Sequence, residues 1–138
     1  CRAMLDAHEL SRARHFISEA KQESFCIAHG ILRLLLSRYL KMPPKAISFG
    51  FGDKQKPHLH TPTHQLKFNL SHSGNFALYA FASDCELGVD IEKIQSDHKM
   101  DIAERFFHTS EISAMKALPE SERAALFFQF WAKKEAII

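Results

Sequence analysis

Residues 66–82, with the sequence LKFNLSHSGNFALYAFA, decide the fold of this chain. Leu66, Phe68 and Leu70 alternate with polar residues, which is the period of a half-buried β-strand. A serine, a glycine and an asparagine follow at positions 73–75 and favour a tight turn, and residues 76–82 are mostly apolar. The stretch therefore predicts an antiparallel hairpin, against which the rest of the chain has to pack.

A long helix is predicted before the hairpin. Apolar residues recur at intervals of three and four from Phe25 to Tyr39, which is the spacing of a buried helix face. Ser18 is a suitable N-cap. Two prolines at positions 43–44 stop the helix at about Lys41, because proline has no amide donor and disfavours helical geometry in the residue before it.

The remaining elements follow from weaker patterns. A short strand is predicted at residues 47–51 and a polar loop at residues 52–65. After residue 100 the pattern is helical again, and a final helix is predicted from about Ser121. The expected fold class is α+β, with the long helix packed on an antiparallel sheet.

Composition and charge narrow the class of protein. The 138 residues carry a formal net charge of +2, which gives no electrostatic reason to expect duplex nucleic acid as the main partner. No apolar run reaches the roughly 20 residues that a membrane span requires. Three widely spaced cysteines fit reduced thiols better than a disulfide framework. We therefore expect a cytoplasmic protein that binds neither nucleic acid nor membrane.

Both ends of the sequence suggest a longer natural chain. The first residue is Cys1 rather than an initiating methionine. The last residues, Ala136 to Ile138, continue an apolar helical pattern without a stop signal. We expect the natural protein to extend past both ends.

Residues 88–93, GVDIEK, place two carboxylates in a third alternating run. The period of two puts Asp90 and Glu92 on one side of an extended strand, with Cα atoms about 7 Å apart. Like charges this close need a cation, a shared proton or full solvation. Oxygen ligands without cysteine or histidine beside them favour magnesium, manganese or calcium over zinc. The alternative is a solvated outer face of an edge strand.

Residues 68–74, FNLSHSG, end the first hairpin strand with hydroxyl groups, an imidazole and a glycine. This composition is suited to holding phosphate oxygens, because the glycine permits close backbone approach and Ser71 and His72 offer donors. The alternative is a turn in which Ser71 and Ser73 satisfy backbone groups.

Residues 130–136, FWAKKEA, form an aromatic and then charged helix. Glu135 follows Trp131 by one helical turn and is placed to complete a metal site, while Lys133 and Lys134 are placed to neutralise a phosphate. The alternative is an amphipathic helix with a solvated charged end.

In chain order, FNLSHSG, GVDIEK, RFF (residues 105–107) and FWAKKEA resemble the signature of the 4'-phosphopantetheinyl transferases of the surfactin-synthetase-activating type. The resemblance implies the α+β fold of that family, built from two similar halves with the active site between them. Residues 1–99 correspond to the first half and residues 100–138 to the opening helices of the second. It also implies transfer of the 4'-phosphopantetheine arm of coenzyme A to a serine of an apo carrier protein, with release of adenosine 3',5'-bisphosphate.

The resemblance implies roles for individual residues. Asp90, Glu92 and Glu135 match the acids that hold magnesium, or manganese, against the coenzyme pyrophosphate. Glu135 is also the family's candidate base for the serine, so Asp90 and Glu135 are the expected catalytic residues. The residues expected at coenzyme A, with Lys134 added for its charge and the two arginines as looser matches, are Ser71, His72, Lys56, Pro57, Lys134, Arg12 and Arg33.

The expected partner is an acyl or peptidyl carrier protein, bound by a monomer. Carrier proteins are acidic around their modified serine, so Lys93, Lys99 and Arg105 are candidates for steering it. Two other classes use the same residues: a metal-dependent phosphoesterase or nuclease, and a non-catalytic coenzyme A or nucleotide-binding module.

Overall fold

A computed structural model describes residues 1–52, 56–60, 65–95 and 100–137. The helices are α1 (Ala7–Arg14), α2 (Glu19–Leu40), α3 (Met100–Phe106), α4 (Thr109–Ala117) and α5 (Glu120–Ile137). The strands are β1 (Phe49–Phe51), β2 (Pro57–Leu59), β3 (Leu66–Ser73) and β4 (Phe76–Ser83), and short 3-10 turns occur at Arg2–Met4 and Pro44–Ala46. Helices combined with antiparallel strand pairs confirm the α+β class.

The predicted hairpin is confirmed. β3 and β4 pair antiparallel along their whole length, from Leu66 opposite Ser83 to Ser73 opposite Phe76. Gly74 closes the turn with a φ of +59°, a left-handed conformation that strains any residue with a Cβ atom.

α2 covers one face of the hairpin and forms the main core with it. Leu32 and Leu36 are completely buried and pack with Ile47 and Phe68. The partly buried residues around them are Leu40, Met42, Phe49, Leu59, Leu66, Leu70, Tyr79 and Phe81. The even-numbered residues 66, 68 and 70 of β3 thus point to α2, so its odd-numbered residues point to the opposite face.

The sequence reasoning predicts neither α1 nor β2. α1 begins with a capping box, in which Asp6 accepts from the Glu9 amide and Glu9 accepts from the Asp6 amide. The spacing Asp-x-x-Glu is a signal for such a box. β2 lies within the predicted loop and pairs antiparallel with β1, with Gly50 opposite His58. A three-residue strand that starts with proline is too short to show a period.

α3, α4 and α5, at the places where helices are predicted, build a second and smaller core. It consists of Ala103, Phe107, Met115 and Phe127, with Trp131 among the partly buried residues around it. Phe107 stacks on Phe127 with 5.2 Å between the ring centroids. In the described part of the chain, none of the helices has the length and apolar character needed to cross a membrane.

Candidate active site

Residues 87–93, here called the acidic segment, run beside β3 without forming a strand with it. Three amides of the segment donate to side chains of β3 instead of to its backbone. The pairs are Val89 N to Asn69 Oδ1 (2.9 Å), Ile91 N to Ser71 Oγ (3.2 Å) and Lys93 N to Ser73 Oγ (3.0 Å). The predicted third strand is therefore wrong, because side-chain acceptors replace the carbonyl groups of a β-ladder. These acceptors are the odd-numbered residues, so the segment lies on the face of the hairpin away from α2.

Asp90 is held at one carboxylate oxygen and unpaired at the other. Ser71 Oγ donates to Asp90 Oδ1 over 2.6 Å. Asp90 Oδ2 is buried and has no hydrogen-bond partner among the described residues. Leaving a buried carboxylate oxygen unpaired is costly, which points to a ligand at this atom. Glu92 accepts a longer hydrogen bond, 3.5 Å, from Ser73 Oγ, so both acids contact the same face of β3, as their spacing predicts.

Gly88 allows the end of α5 to reach the acidic segment. A Cβ atom at position 88 would collide with the carbonyl group of Ala136. Only glycine permits two backbones to come this close. The contact brings Glu135, the residue before Ala136, to the same region as Asp90.

Asp90 and Glu135 line one pocket of about 220 Å³. The other lining residues are Lys56, Asn69, Leu70, Ser71, Val89 and Ala136. Glu92 is not part of this lining, but burial raises its pKa, and the negative charges of Asp90 and Glu135 raise it further. The three carboxylates therefore act on one another electrostatically.

The donor set of this pocket suits a hard divalent cation. Carboxylate oxygens are the ligands that magnesium prefers, and Asp90 Oδ2 is an acceptor without a partner among the residues that the structure describes. Across residues 1–52, 56–60, 65–95 and 100–137, however, no three Asp, Glu, His or Cys side chains are grouped closely enough to hold a metal ion. A single metal ion held by all three acids therefore stays a prediction: Asp90 and Glu135 share the pocket, and Glu92 lies outside its lining.

Lys56 connects this pocket to a second one of about 300 Å³, since it lines both. Pro57, Phe68 and Leu87 also line the second pocket. Lys56 Nζ donates to the Leu87 carbonyl over 2.9 Å, which ties the lysine to the acidic segment. The structure therefore places Lys56 in the pocket of Asp90 and Pro57 in the adjoining pocket.

Asn69 belongs to the site, although the sequence reasoning assigns it no chemistry of its own. It lines the Asp90 pocket and accepts from the Val89 amide. The feature of the sequence that marks Asn69 is a constant spacing. The polar side chains at positions 69, 71 and 73 each accept a hydrogen bond from the amide twenty positions later.

Ser71 and His72 are both predicted to contact coenzyme A, but the structure places them on opposite faces of β3. Ser71 faces the acidic segment, whereas His72 lines a groove with Ala28, Ile31 and Tyr79 on the α2 side. The cause is the alternation of side chains along a strand. Burial lowers the pKa of His72, and the charge of His29 adds to this.

Arg33 is wrong as a coenzyme ligand, because it is completely buried. Its Nε donates to Glu9 Oε2 over 2.7 Å and its Nη2 to Asp6 Oδ2 over 2.6 Å. Its Nη1 donates to the carbonyl groups of Pro44 and Ile47, at 2.8 and 2.9 Å. A guanidinium group with these partners inside the core is not accessible to a phosphate.

Lys134 as a phosphate ligand stays a prediction, and in this structure its amine contacts other residues of the chain. Its Nζ pairs with Glu111 Oε2 at 2.9 Å and lies 5.4 Å from the centroid of the Phe107 ring. Neighbouring residues of a helix point about 100° apart. α5 therefore directs Glu135 to the pocket and Lys134 towards α4.

Arg12 stays a prediction. Its guanidinium group lies over the rings of Phe25 and Phe51, at 5.7 and 5.9 Å from their centroids. It does not line the Asp90 pocket. Lys99, a candidate for carrier steering, falls outside the described residues.

Family models match the chain over its whole length. Residues 1–86 match the model of the 4'-phosphopantetheinyl transferase N-terminal domain, and residues 86–138 match that of the 4'-phosphopantetheinyl transferase superfamily. The chain therefore belongs to the 4'-phosphopantetheinyl transferase family.

Individual relatives agree with this assignment. The chain is 34% identical over 139 residues to the 4'-phosphopantetheinyl transferase HetI of Nostoc sp., covering 99% of this chain and 59% of HetI. It is 27% identical over 136 residues to Sfp of Bacillus subtilis, covering 99% and 59%. It is 36% identical over 107 residues to AcpT of Salmonella typhi, covering 77% and 54%. The chain thus spans less than two thirds of the length of these relatives.

Proposed function

We propose that the protein transfers the 4'-phosphopantetheine arm of coenzyme A to a serine hydroxyl of an apo acyl or peptidyl carrier protein and releases adenosine 3',5'-bisphosphate. The observation that carries the proposal is the pocket shared by Asp90 and Glu135, with the unpaired Oδ2 of Asp90 buried beside it. Family membership and the names of the relatives support the reaction class.

Magnesium is the cofactor we propose, with Asp90 and Glu135, which share the pocket, as protein ligands and Glu92 as the proposed third ligand. When bound, it neutralises charge on the phosphoryl oxygens of coenzyme A. The raised pKa of Glu92 supports this, because crowded carboxylates gain from a cation between them.

The residues of the chain have separate tasks in this reaction. The serine oxygen of the carrier bonds to the phosphorus that carries pantetheine, and the bond from that phosphorus to the bridging oxygen breaks. Glu135 is the proposed base for the serine proton, and Ser71 keeps Asp90 oriented through its hydrogen bond. Lys56 and Pro57, in the adjoining pocket, are proposed to hold the adenine end of coenzyme A.

The remaining predictions extend the same proposal. We retain residues 1–99 and 100–138 as parts of two similar halves, supported by the separate cores of α2 with the strands and of α3 to α5. We retain a cytoplasmic location and a monomeric state, and light scattering on the purified full-length protein tests the monomeric state.

Lys93 and Arg105 are exposed and remain candidates for carrier steering. Charge reversal at both residues is expected to raise the KM for the carrier and weaken its salt dependence.

The experiment that tests the function weighs the carrier. Full-length protein, coenzyme A, Mg²⁺ and an apo carrier protein are incubated, and a mass gain of one phosphopantetheine is expected. Asp90→Asn and Glu135→Gln are each expected to lower the transfer rate by about 100-fold or more. Glu122→Gln, an exposed acid near the start of α5, is the matched control and retains the rate.

Other results would support the two rival classes. Release of phosphate or adenosine bisphosphate without a carrier would indicate a phosphoesterase or nuclease. Coenzyme A binding without a mass gain on any carrier would indicate a binding module. A normal mass gain with Asp90→Asn and Glu135→Gln would remove both acids from the mechanism.

A further inference from the structure

Asn69, Ser71 and Ser73, here called the side-chain ladder, hold the acidic segment by its amides. We propose that the ladder is a positioning device, which sets where Asp90 and Glu92 stand relative to Glu135. Its significance for catalysis rests on the proposed function, whereas its hydrogen bonds are a property of the fold.

The side-chain ladder holds the acidic segment beside β3. Three amides of the segment donate to the three ladder side chains in parallel order, at 2.9 to 3.2 Å. Among the described residues, β3 makes backbone strand pairing only with β4. The ladder therefore replaces the backbone hydrogen bonds that would otherwise fix this segment.

The Ser71 hydroxyl has a single proton to donate. Ser71 Oγ accepts from the Ile91 amide and lies 2.6 Å from Asp90 Oδ1, a carboxylate oxygen that can only accept. The proton of Ser71 is thus committed to Asp90, and it is not free for a coenzyme phosphate while that bond is kept. The assignment that follows from the geometry is Ser71 as a positioning residue for Asp90.

The hydrogen bond from Ser71 also sets how Asp90 is presented to the pocket. With Oδ1 fixed by Ser71, the carboxylate of Asp90 has its other oxygen buried and unpaired. Ser73 makes the same two contacts two residues further along β3: its Oγ accepts from Lys93 N and lies 3.5 Å from Glu92 Oε2. Ser71 and Ser73 therefore each hold one amide and one carboxylate of the acidic segment. Loss of either hydroxyl group releases both. Changes to residues that orient a metal ligand commonly cost 10- to 100-fold in metal affinity or activity.

Amide hydrogen exchange of the full-length protein tests the ladder without reference to activity. Ser71→Ala is expected to raise the exchange rate of the Ile91 amide by about tenfold or more, because this amide loses its acceptor. Ser71→Thr retains a hydroxyl and is expected to restore slow exchange. Ser83→Ala, at the far end of β4, is the matched control and leaves the Ile91 amide unchanged. Unchanged exchange in Ser71→Ala would overturn the ladder.

Calorimetry and kinetics test the positioning role. In the presence of coenzyme A, Ser71→Ala is expected to weaken Mg²⁺ binding by about tenfold and to lower kcat more than it raises the KM for coenzyme A. Fast exchange with unchanged Mg²⁺ affinity and an unchanged kcat would show that the ladder is only structural. If wild-type protein transfers nothing to a carrier, the proposed function fails, while the exchange result still decides the ladder. If Ser71→Ala does not fold, Ser73→Ala applies the same test to the Lys93 amide.

Discussion

Two groups of carboxylates in this molecule have opposite surroundings. Glu9 is buried between α1 and α2, and the protein satisfies its charge: Glu9 Oε1 pairs with His29 Nδ1 at 2.9 Å, and Glu9 Oε2 pairs with Arg33 Nε at 2.7 Å. Asp6 completes this group through Arg33 Nη2. Burial by itself would raise the pKa of Glu9, but hydrogen bonds from His29, the Asp6 amide and Arg33 outweigh it and lower the pKa.

The acids at the pocket have no comparable compensation. Among the ion pairs of the described residues, none involves Asp90, Glu92 or Glu135. One oxygen of Asp90 is unpaired, and the pKa of Glu92 is raised. A carboxylate that the fold neutralises serves stability, whereas neighbouring carboxylates without a positively charged partner are typical of functional sites.

The largest expected effect is at Arg33. Arg33→Met keeps the volume of the side chain but leaves the buried charge of Glu9 without its guanidinium partner. We expect the free energy of unfolding to fall by about 3–5 kcal/mol, measured by urea denaturation. Arg38→Met, at an exposed position of the same helix, is the control and is expected to change it by less than about 0.5 kcal/mol. Equal losses in both variants would contradict a special role for the buried pair.

The next effect is a dependence on pH. The pKa of Glu9 is lowered in the folded state, so its contribution to stability is complete above its unfolded value of about 4.3 and is lost as the pH falls through the folded value. We expect the difference in unfolding free energy between wild type and Glu9→Gln to be large at pH 7 and to shrink below about pH 4. Urea denaturation across this range measures it. A difference that stayed constant with pH would mean that the charge of Glu9 is not what stabilises the cluster.

The smallest effect on stability is expected at Asp90. Asp90→Asn retains an acceptor for Ser71 and removes one of three mutually repelling charges. In metal-free buffer we expect the free energy of unfolding to change by less than about 1 kcal/mol, with the sign towards stabilisation. A loss as large as that of Arg33→Met would show that both carboxylate groups are structural, and the comparison would fail.

Local patterns were sufficient for most of the fold. Alternation over residues 66–82 and periodicity over α2 predict their elements because each side chain is sorted by one nearby core. β2 is not predicted because three residues are too few to show a period. The acidic segment is wrongly predicted as a strand because its side chains alternate as in a strand, while its amides donate to side chains instead of to a neighbouring backbone.

Residue roles were harder to predict than elements. Asp90, Glu135, Lys56 and Pro57 lie at or next to one pocket, as the resemblance implies. Arg33 is misassigned because its positive charge suits a phosphate equally well before its acidic partners are known. A sequence shows which charges a chain carries, but not which of them neutralise one another.

The antiparallel hairpin, the long helix on it and the family can be read from the amino-acid sequence, because they depend on the order and period of neighbouring side chains. Which charges are neutralised is known only from the folded chain. Arg33 meets Glu9 across 24 positions of the chain, and Gly88 meets Ala136 across 48 positions. Such contacts depend on how separate elements pack, and this packing leaves one oxygen of Asp90 without a partner among the described residues.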